Sequence, residues 1–499
     1  MTSYEKYTAH LRKIADLSYA TAVLNWDQET KMPPKGADIR AQQIATLSGM
    51  AHELATAPEL DTLLRQAAAE KLDEARARNL ALGRYDYDRA TRLPTAFVVR
   101  RSQITSKCFE TWRNAREAND YAVFAPALAE MIALKREEAA LMGDGEHPYD
   151  ALLEAYEPGC RVAWLDPLFA EVRTRLVAFV AQLRERPQLD DGFLRQNFPE
   201  SKQWQFGIDV LRRMGYDFEA GRQDKSEHPF TINFSPQDVR VTTRVDDQNF
   251  GYMLWSTIHE GGHALYEQGL PVAQYGLPLG QYCSLGVHES QSRLWENHVG
   301  RSRAFWTAEY PLLQKVFPAA LGSTDVAHYY AGINRVAPNF IRTEADELHY
   351  HLHVMVRYEL EKGLLEGSIE AADLEAAWNA KYHDYLGVDV PDANRGILQD
   401  VHWSHGLFGY FPTYSLGSFY AAQYYASAQR ELPELQAQIR AGDYSRLLDW
   451  LRQNIHQHGR RYSADALCRR ATGEGLNLDY FMDYALAKFG ELYGVHRVA

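Results

Sequence analysis

His259 and His263 stand four residues apart in STIHEGGHALYEQG (256–269), with Glu260 directly after the first. On a helix, residues i and i+4 project from one face about one turn apart. Two imidazoles placed this way can ligate one metal ion. Glu260 is turned about 100° around the axis, near enough to hold a water beside the ion but not forced to ligate it. This is H-E-x-x-H, the pattern of zinc peptidase helices. Gly261 and Gly262 fall inside it. Each costs about 1 kcal/mol relative to alanine in a helix interior. Propensity does not account for the pair, whereas close approach of another chain or a ligand would. Leu254, Ile258 and Leu265 give this helix a buried side, and Thr257 and Glu260 leave it a polar one.

A catalytic zinc needs a third protein ligand and one open position. The metzincin pattern would require glycine at 266 and histidine at 269, where Tyr266 and Gly269 stand, so that class is excluded. The alternative is a glutamate on a second helix, with Glu267, Glu289 and Glu296 as candidates. Glu267 follows His263 by four on the same helix and sits a turn too far along to close a tetrahedron. VHESQSRLWEN (287–297) is a separate helical segment with Glu289, Ser292, Arg293 and Glu296 on one side. Glu289 is the first choice, with Glu296 as its outer hydrogen-bonding or salt-bridging neighbour. His288 could face a substrate, although a lone histidine is more often a satisfied structural donor.

Other histidines compete. His349 and His353 are also four apart, but no acidic residue is placed as Glu260 is, and LHVMVRYELEK reads as an amphipathic helix. HQHGRR (456–461) reads as a solvated helix end. GILQDVHWSHGLFGYFPTYSLGSFY (396–420) gathers His402, His405, Tyr410, Tyr414 and Tyr420 among glycine and proline. A loop-rich cleft wall would look like this, and so would an aromatic core junction. Histidine and tyrosine are donors that a tetrahedral oxyanion can use.

These residues need a largely helical frame. Apolar spacing predicts helices over 4–25, 37–56, 98–118, 122–142, 165–186, 338–364, 369–386 and 478–493. One stretch differs. In HPFTINFSPQDVRVTTRV (228–245) apolar residues alternate on both sides of Ser235-Pro236-Gln237-Asp238, which predicts a short β-hairpin just before the histidine helix. The polar face of its second strand suggests an edge toward a cleft.

The 499 residues are 46% hydrophobic and carry a net charge of −13. An acidic chain without a basic block is a poor ligand for nucleic acid or anionic membranes. No apolar run is long enough to span a bilayer, and the opening residues lack a basic start followed by an apolar core. Cys108, Cys160, Cys283 and Cys468 form no C-x-x-C pair and read as buried or free thiols in a reducing compartment, with the cytoplasm expected. No linker-like tract or internal repeat separates parts of the chain.

The ordered motifs HPF (228–230), DVRVT (238–242), HEGGH (259–263), HESQ (288–291), IRTEAD (341–346) and GILQDVHW (396–403) resemble the carboxypeptidase Taq family of metallocarboxypeptidases. NWDQETKMPP and YEPG add to the likeness, which spans essentially the whole chain. The resemblance implies one peptidase domain over 1–499, with a helical N-terminal part to about 220 and a catalytic part from about 221. It implies a mainly α, saddle-like body with a deep groove, a small β element beside the catalytic helix, and a homodimer. It also implies zinc, replaceable by cobalt, on His259, His263 and Glu289, with Glu260 as general base. Single residues would be removed from peptide C-termini with broad preference; the competing readings are a zinc endopeptidase or oligopeptidase with the same catalytic helix and a non-catalytic metal-binding module that holds peptides.

Four further roles are expected for that chemistry. His402 and Tyr414 are the chosen oxyanion donors, with Tyr410 a rival for the tyrosine role. The hairpin strand would pair with substrate backbone. An exopeptidase needs a cation for the terminal carboxylate, and arginine fits it in bidentate fashion. Arg342 is the first choice and Arg240 the second. The competing explanation for Arg342 is an i, i+4 ion pair with Asp346, which would cost stability when broken, where a pure clamp would not.

Overall fold

The computed structural model describes residues 1–495. They divide into two compact units, each assembled from separate stretches of chain. The first takes 1–91, 191–333 and 420–476, and the second takes 92–190, 334–419 and 477 onward. Both are mainly helical, as expected. Seven of the predicted helices are present as Ser3–Thr30, Ala37–Ala55, Thr95–Ala118, Tyr121–Met142, Val162–Arg184, Leu374–Leu386 and Asp479–Tyr493. The eighth begins later than its periodicity suggested, at His349 instead of 338, and ends at Glu366. Pro338 and a 3₁₀ turn over Arg342–Glu344 occupy the missing stretch. The Asp346 carboxylate then accepts from the Leu348 and His349 amides at 2.9 and 3.0 Å, so the helix starts behind this acidic cap.

The hairpin lies in the first unit, but it belongs to a three-stranded sheet: β1 (Gly221–Lys225), β2 (Thr231–Ser235) and β3 (Asp238–Thr243), in the order β1-β3-β2. Strands β2 and β3 pair antiparallel, with Thr231 opposite Val241 and Ile232 opposite Arg240. Strand β1 pairs parallel to β3, with Gly221 opposite Val239. The sequence GRQDK has no apolar alternation, which is why it did not read as a strand. Its presence corrects the expectation that the hairpin's second strand is an edge. β3 is hydrogen-bonded on both sides and has no free ladder to offer a substrate; within this sheet the edges are β1 and β2.

The histidines sit on α2 (Phe250–Gln268), between α1 (Glu200–Met214) and α3 (Leu285–Arg293). The Asn249 side chain caps α2 by accepting from the Gly251 amide. Met253, Leu254, Ile258 and Leu265 are all at most 1% exposed. At roughly 1.5–3 kcal/mol for each fully buried side chain, they outweigh the two glycines several-fold. The expected polar side of α2 is not solvated, because the sheet covers it. Thr257 accepts from Gln223 on β1, Glu260 accepts from Thr231 on β2, and Ser256 meets Thr243 on β3.

The two glycines have different neighbours. A Cβ on Gly261 would meet the Leu211 methyl Cδ2 of α1 at 2.5 Å. A Cβ on Gly262 would meet the Gln291 carbonyl oxygen at 2.6 Å and Ser292 Cα at 2.7 Å, both backbone atoms of α3. A leucine can rotate away, while a helix backbone cannot. We predict that Gly262→Ala loses stability on net, because overpacking of about 1–3 kcal/mol exceeds the helix-propensity gain of about 1 kcal/mol. Gly261→Ala should lose less. Urea unfolding of the two variants checks this, and an equal or reversed order would refute the close-approach account.

Candidate metal centre

Helix α3 starts behind the Ser284 side chain, which accepts from the Val287 amide. It runs without a break into a π-helical turn over Leu294–Gly300, a widened geometry that recurs at functional sites. The close approach at Gly262 lets this segment present Glu289 to the histidine face of α2. Glu289 Oε2 lies 3.6 Å from His259 Nε2 and 3.3 Å from His263 Nε2. Ligand bonds of about 2.0–2.2 Å at tetrahedral angles separate ligand atoms by roughly 3.3–3.6 Å. The three atoms lie within 4.8 Å of one another, and among the described residues theirs is the one histidine, cysteine or acidic cluster with such spacing. Two imidazole nitrogens and one carboxylate oxygen suit a divalent ion and leave a coordination position open.

The other side-chain atom of each candidate ligand is also held. His259 Nδ1 is 2.9 Å from Glu296 Oε2. His263 Nδ1 is 2.5 Å from His288 Nδ1. Arg293 Nε donates to Glu289 Oε1 at 2.7 Å, which leaves Oε2 on the histidine side, and Arg293 Nη1 reaches Glu296 at 3.2 Å. Burial by itself would raise the Glu289 carboxyl; Arg293 and the two histidines instead hold it well below its ordinary value. The same contest, decided by Arg293 and His259, brings Glu296 down to about 2. Burial, with His288 alongside, pushes His263 down to about 3, so its imidazole is neutral at pH 7 and free to ligate.

Glu260 is buried on the same helix, and its Oε2 accepts from the Thr231 hydroxyl at 2.7 Å. Burial raises its carboxyl above the ordinary value, making it a better proton acceptor than a solvated glutamate. Glu267 is not among the ligands: its oxygens accept from His288 Nε2 at 2.7 Å and Asn233 Nδ2 at 2.6 Å. His288 therefore has both ring nitrogens engaged inside the chain, which corrects its expected substrate-facing role. Arg240 is also committed. Its guanidinium binds Asp238 through two bonds of 2.9 Å and stacks 4.3 Å from the Trp26 ring centroid.

Arg342, His402, Tyr410 and Tyr414 fall in the second unit and lie together there. His402 Nε2 is 3.2 Å from the Tyr414 hydroxyl, and the Tyr410 and Tyr414 rings are 5.2 Å apart. The Arg342 guanidinium is 4.9 Å from the Tyr414 ring. The Arg342–Asp346 pair that competed with the clamp explanation is not the one made. Arg342 donates through Nε and Nη2 to Asp400 Oδ1 at 3.1 and 2.9 Å, and through Nη1 to the Tyr350 hydroxyl. Asp346 is spent on its cap and on His349 Nδ1 at 2.7 Å. The other carboxylate oxygen of Asp400 binds Arg357. Burial, with the arginines, brings His402 down to about 4 and keeps it neutral at pH 7.

His353 meets Tyr382 and Asn339, so HYHLH builds core contacts. His456, expected at a solvated helix end, is fully buried and bonded to Gln291 Oε1 at 2.9 Å. All four cysteines are free and buried. Sequence reasoning missed Thr231, Arg293 and Asp400 as partners of the site residues. The i, i+4 spacing of Glu289 and Arg293 was a visible signal for one of them. Asp400 is 58 residues from Arg342, and nothing local announces that pair.

The model of the carboxypeptidase Taq (M32) metallopeptidase family matches residues 6–489. Thermostable carboxypeptidase 1 of Thermus thermophilus is 40% identical over 508 residues, covering 99% of each chain. The crystal structure of the M32 carboxypeptidase from Deinococcus radiodurans R1 superposes with a TM-score of 0.97 at 40% identity, over 99% of this chain and 100% of that one. A solved structure of a protein named CHT superposes with a TM-score of 0.96 at 54% identity, over 98% of this chain and 99% of that one.

Glu289 and Glu296 are both acidic and buried, yet only Glu289 has an oxygen in the three-atom cluster. Glu289→Ala should therefore remove a ligand and abolish tight metal binding, while Glu296→Ala should lower affinity about 10–100-fold by releasing His259. Metal content after dialysis against graded chelator tests this. Loss in Glu296→Ala with retention in Glu289→Ala would reverse the assignment.

Proposed function

The chain belongs to the carboxypeptidase Taq (M32) metallopeptidase family, and from that premise we propose that it is a zinc enzyme removing single residues from peptide C-termini with broad preference. It is a metallocarboxypeptidase, a hydrolase of peptide bonds. The observation that carries the zinc reading is the convergence of His259 Nε2, His263 Nε2 and Glu289 Oε2 beside the buried Glu260. Two histidines and one glutamate are a catalytic zinc donor set. Cobalt is a workable substitute. A homodimer in the cytoplasm completes this reading on the family resemblance. Among the described residues, no helix is long and apolar enough to cross a membrane.

When bound, the ion supplies a Lewis acid that polarises the scissile carbonyl and makes a neighbouring water more acidic. Glu260 takes a proton from that water as it attacks. Thr231 occupies Oε2, so Oε1 is the oxygen available to receive the proton. Glu260 then passes it to the leaving amine, as a general base becoming a general acid. His402 and Tyr414, with Tyr410 as the alternative tyrosine, are proposed donors to the developing oxyanion. A neutral His402 suits this role because its Nε2–H can donate. Arg342 is the proposed holder of the terminal carboxylate; its guanidinium has five N–H groups and spends three on Asp400 and Tyr350. Arg240 is a weaker candidate because Asp238 already takes its paired donors.

Two measurements test this. Glu260→Gln keeps the ligands and should retain the metal while kcat falls by about 10²–10⁴-fold, the usual worth of a positioned base. Near-normal turnover with full metal content would remove Glu260 from the chemistry. For the exopeptidase reading, peptides with a free C-terminus should be cleaved and their C-terminal amides should not. Arg342→Ala should erase most of that preference. It should also lose on the order of 3 kcal/mol of stability, since it breaks a buried ion pair, so its melting temperature cannot separate clamp from structural pair. The acid-to-amide ratio of kcat/KM in folded protein can. An unchanged ratio would sink Arg342 as the clamp.

A further inference from the structure

The two histidines are held from outside by different chemistry. His259 has a carboxylate directly behind it. His263 has another imidazole, and only behind that a carboxylate: His263 Nδ1 to His288 Nδ1 at 2.5 Å, His288 Nε2 to Glu267 Oε1 at 2.7 Å. The second oxygen of Glu267 is pinned by Asn233 of β2. The His288 ring is enclosed by Tyr266 and Tyr282, with ring centroids 5.3 and 4.9 Å away.

Resting on the zinc reading above, the geometry points to His288 as a positioning residue: we infer that Asn233, Glu267 and His288 form a relay whose task is to fix the tautomer and angle of His263. Proton counting dictates the direction. A ligating His263 keeps its Nε2 lone pair for the ion, so its proton is on Nδ1 and must be donated. The atom facing it is His288 Nδ1, which accepts only if His288 carries its proton on Nε2. Glu267 is placed to accept that Nε2–H, and the Asn233 amide holds the Glu267 carboxylate in place. Reversing the His263–His288 bond would put the His263 proton on Nε2, where a ligand atom is needed. The relay also accounts for a buried glutamate and a part-buried histidine that the cleavage chemistry does not use.

The alternative is that His288 merely fills space between two tyrosines. Two substitutions in the full-length chain separate these accounts. His288→Phe keeps the ring and its packing but has no acceptor. His288→Asn gives up the ring but places an amide oxygen close to where Nδ1 was. Zinc affinity measured by chelator competition, with metal-free melting curves alongside, should fall about 10–100-fold for His288→Phe and stay within a few-fold of wild type for His288→Asn. The opposite order, or equal affinities in all three proteins, would overturn the relay. Should His288→Phe fail to fold, ¹⁵N-histidine NMR of the zinc-loaded wild type gives the same answer. Protonated Nδ1 on His263 with protonated Nε2 on His288 is expected, and Nδ1 protonation of His288 would overturn it. A wild-type chain that takes up no zinc would instead overturn the reading on which the relay rests.

Discussion

Between Gly262 and the backbone of Gln291 and Ser292 there is no room for one methyl group. Much of the centre follows from this contact. A helix carrying two histidines cannot close a metal site alone, because its own i+4 glutamate sits a turn too far along. The third ligand has to come from another helix, and a glutamate side chain is short. Only when the two backbones nearly touch does Glu289 Oε2 reach both Nε2 atoms. The site thus depends on a missing side chain as much as on the ligands. Its helix accepts two glycines because the burial of Met253, Leu254, Ile258 and Leu265 outweighs their cost several-fold.

Close packing brings an electrostatic difficulty. Glu260, Glu267, Glu289 and Glu296 are all buried near two imidazoles. An unpaired buried carboxylate is costly, and these four are answered in three ways. Arg293 ties Glu289 and Glu296 together and keeps both ionised. Glu267 is satisfied by hydrogen bonds from His288 and Asn233. Glu260 has only the Thr231 hydroxyl on its carboxylate, and burial raises it while Glu289 and Glu296 are held low. The acid with the least compensation is the one proposed above to take up a proton. The sheet supplies this grading, since Thr231 and Asn233 are two residues apart on β2 and face the same helix.

The legible part of the molecule was the part governed by short-range periodicity. Seven helices, the hairpin and the histidine helix follow from spacing within a few turns, and the glycine pair was correctly a packing signal. Errors arose where a distant segment decides. Strand β1 has no alternation of its own and forms because β3 offers a free ladder. The polar side of α2 was legible, but its covering, the sheet, is identified only in three dimensions. His288 looked like a substrate contact because its real partners include Glu267, twenty-one residues earlier. Arg342 had a plausible partner four residues on, but Asp346 was needed to begin the following helix. Local pairing rules fail when a better-placed local task takes the partner away.

Asp400 raises the remaining question, which is why a protein would bury two arginines around one aspartate. If stability were the only purpose, apolar residues of similar volume would often serve as well or better. The charges of Arg342, Arg357 and Asp400 sum to one net positive charge, and His402 beside them is held neutral. Tyr350 and Tyr414 touch Arg342 through a hydroxyl and a ring face. A buried excess of positive charge is unfavourable until an anion arrives. Arg357 is the more deeply sequestered of the two, with its Nη1 on the His353 carbonyl and its Nε on Asp400. Arg342 keeps two of its five N–H groups unassigned to those partners. A free C-terminal carboxylate is the anion that every substrate of a carboxypeptidase carries. With Arg342 as the clamp proposed above, binding that anion would neutralise the cluster, and the same imbalance that makes the resting network costly would then favour substrates with a free C-terminus.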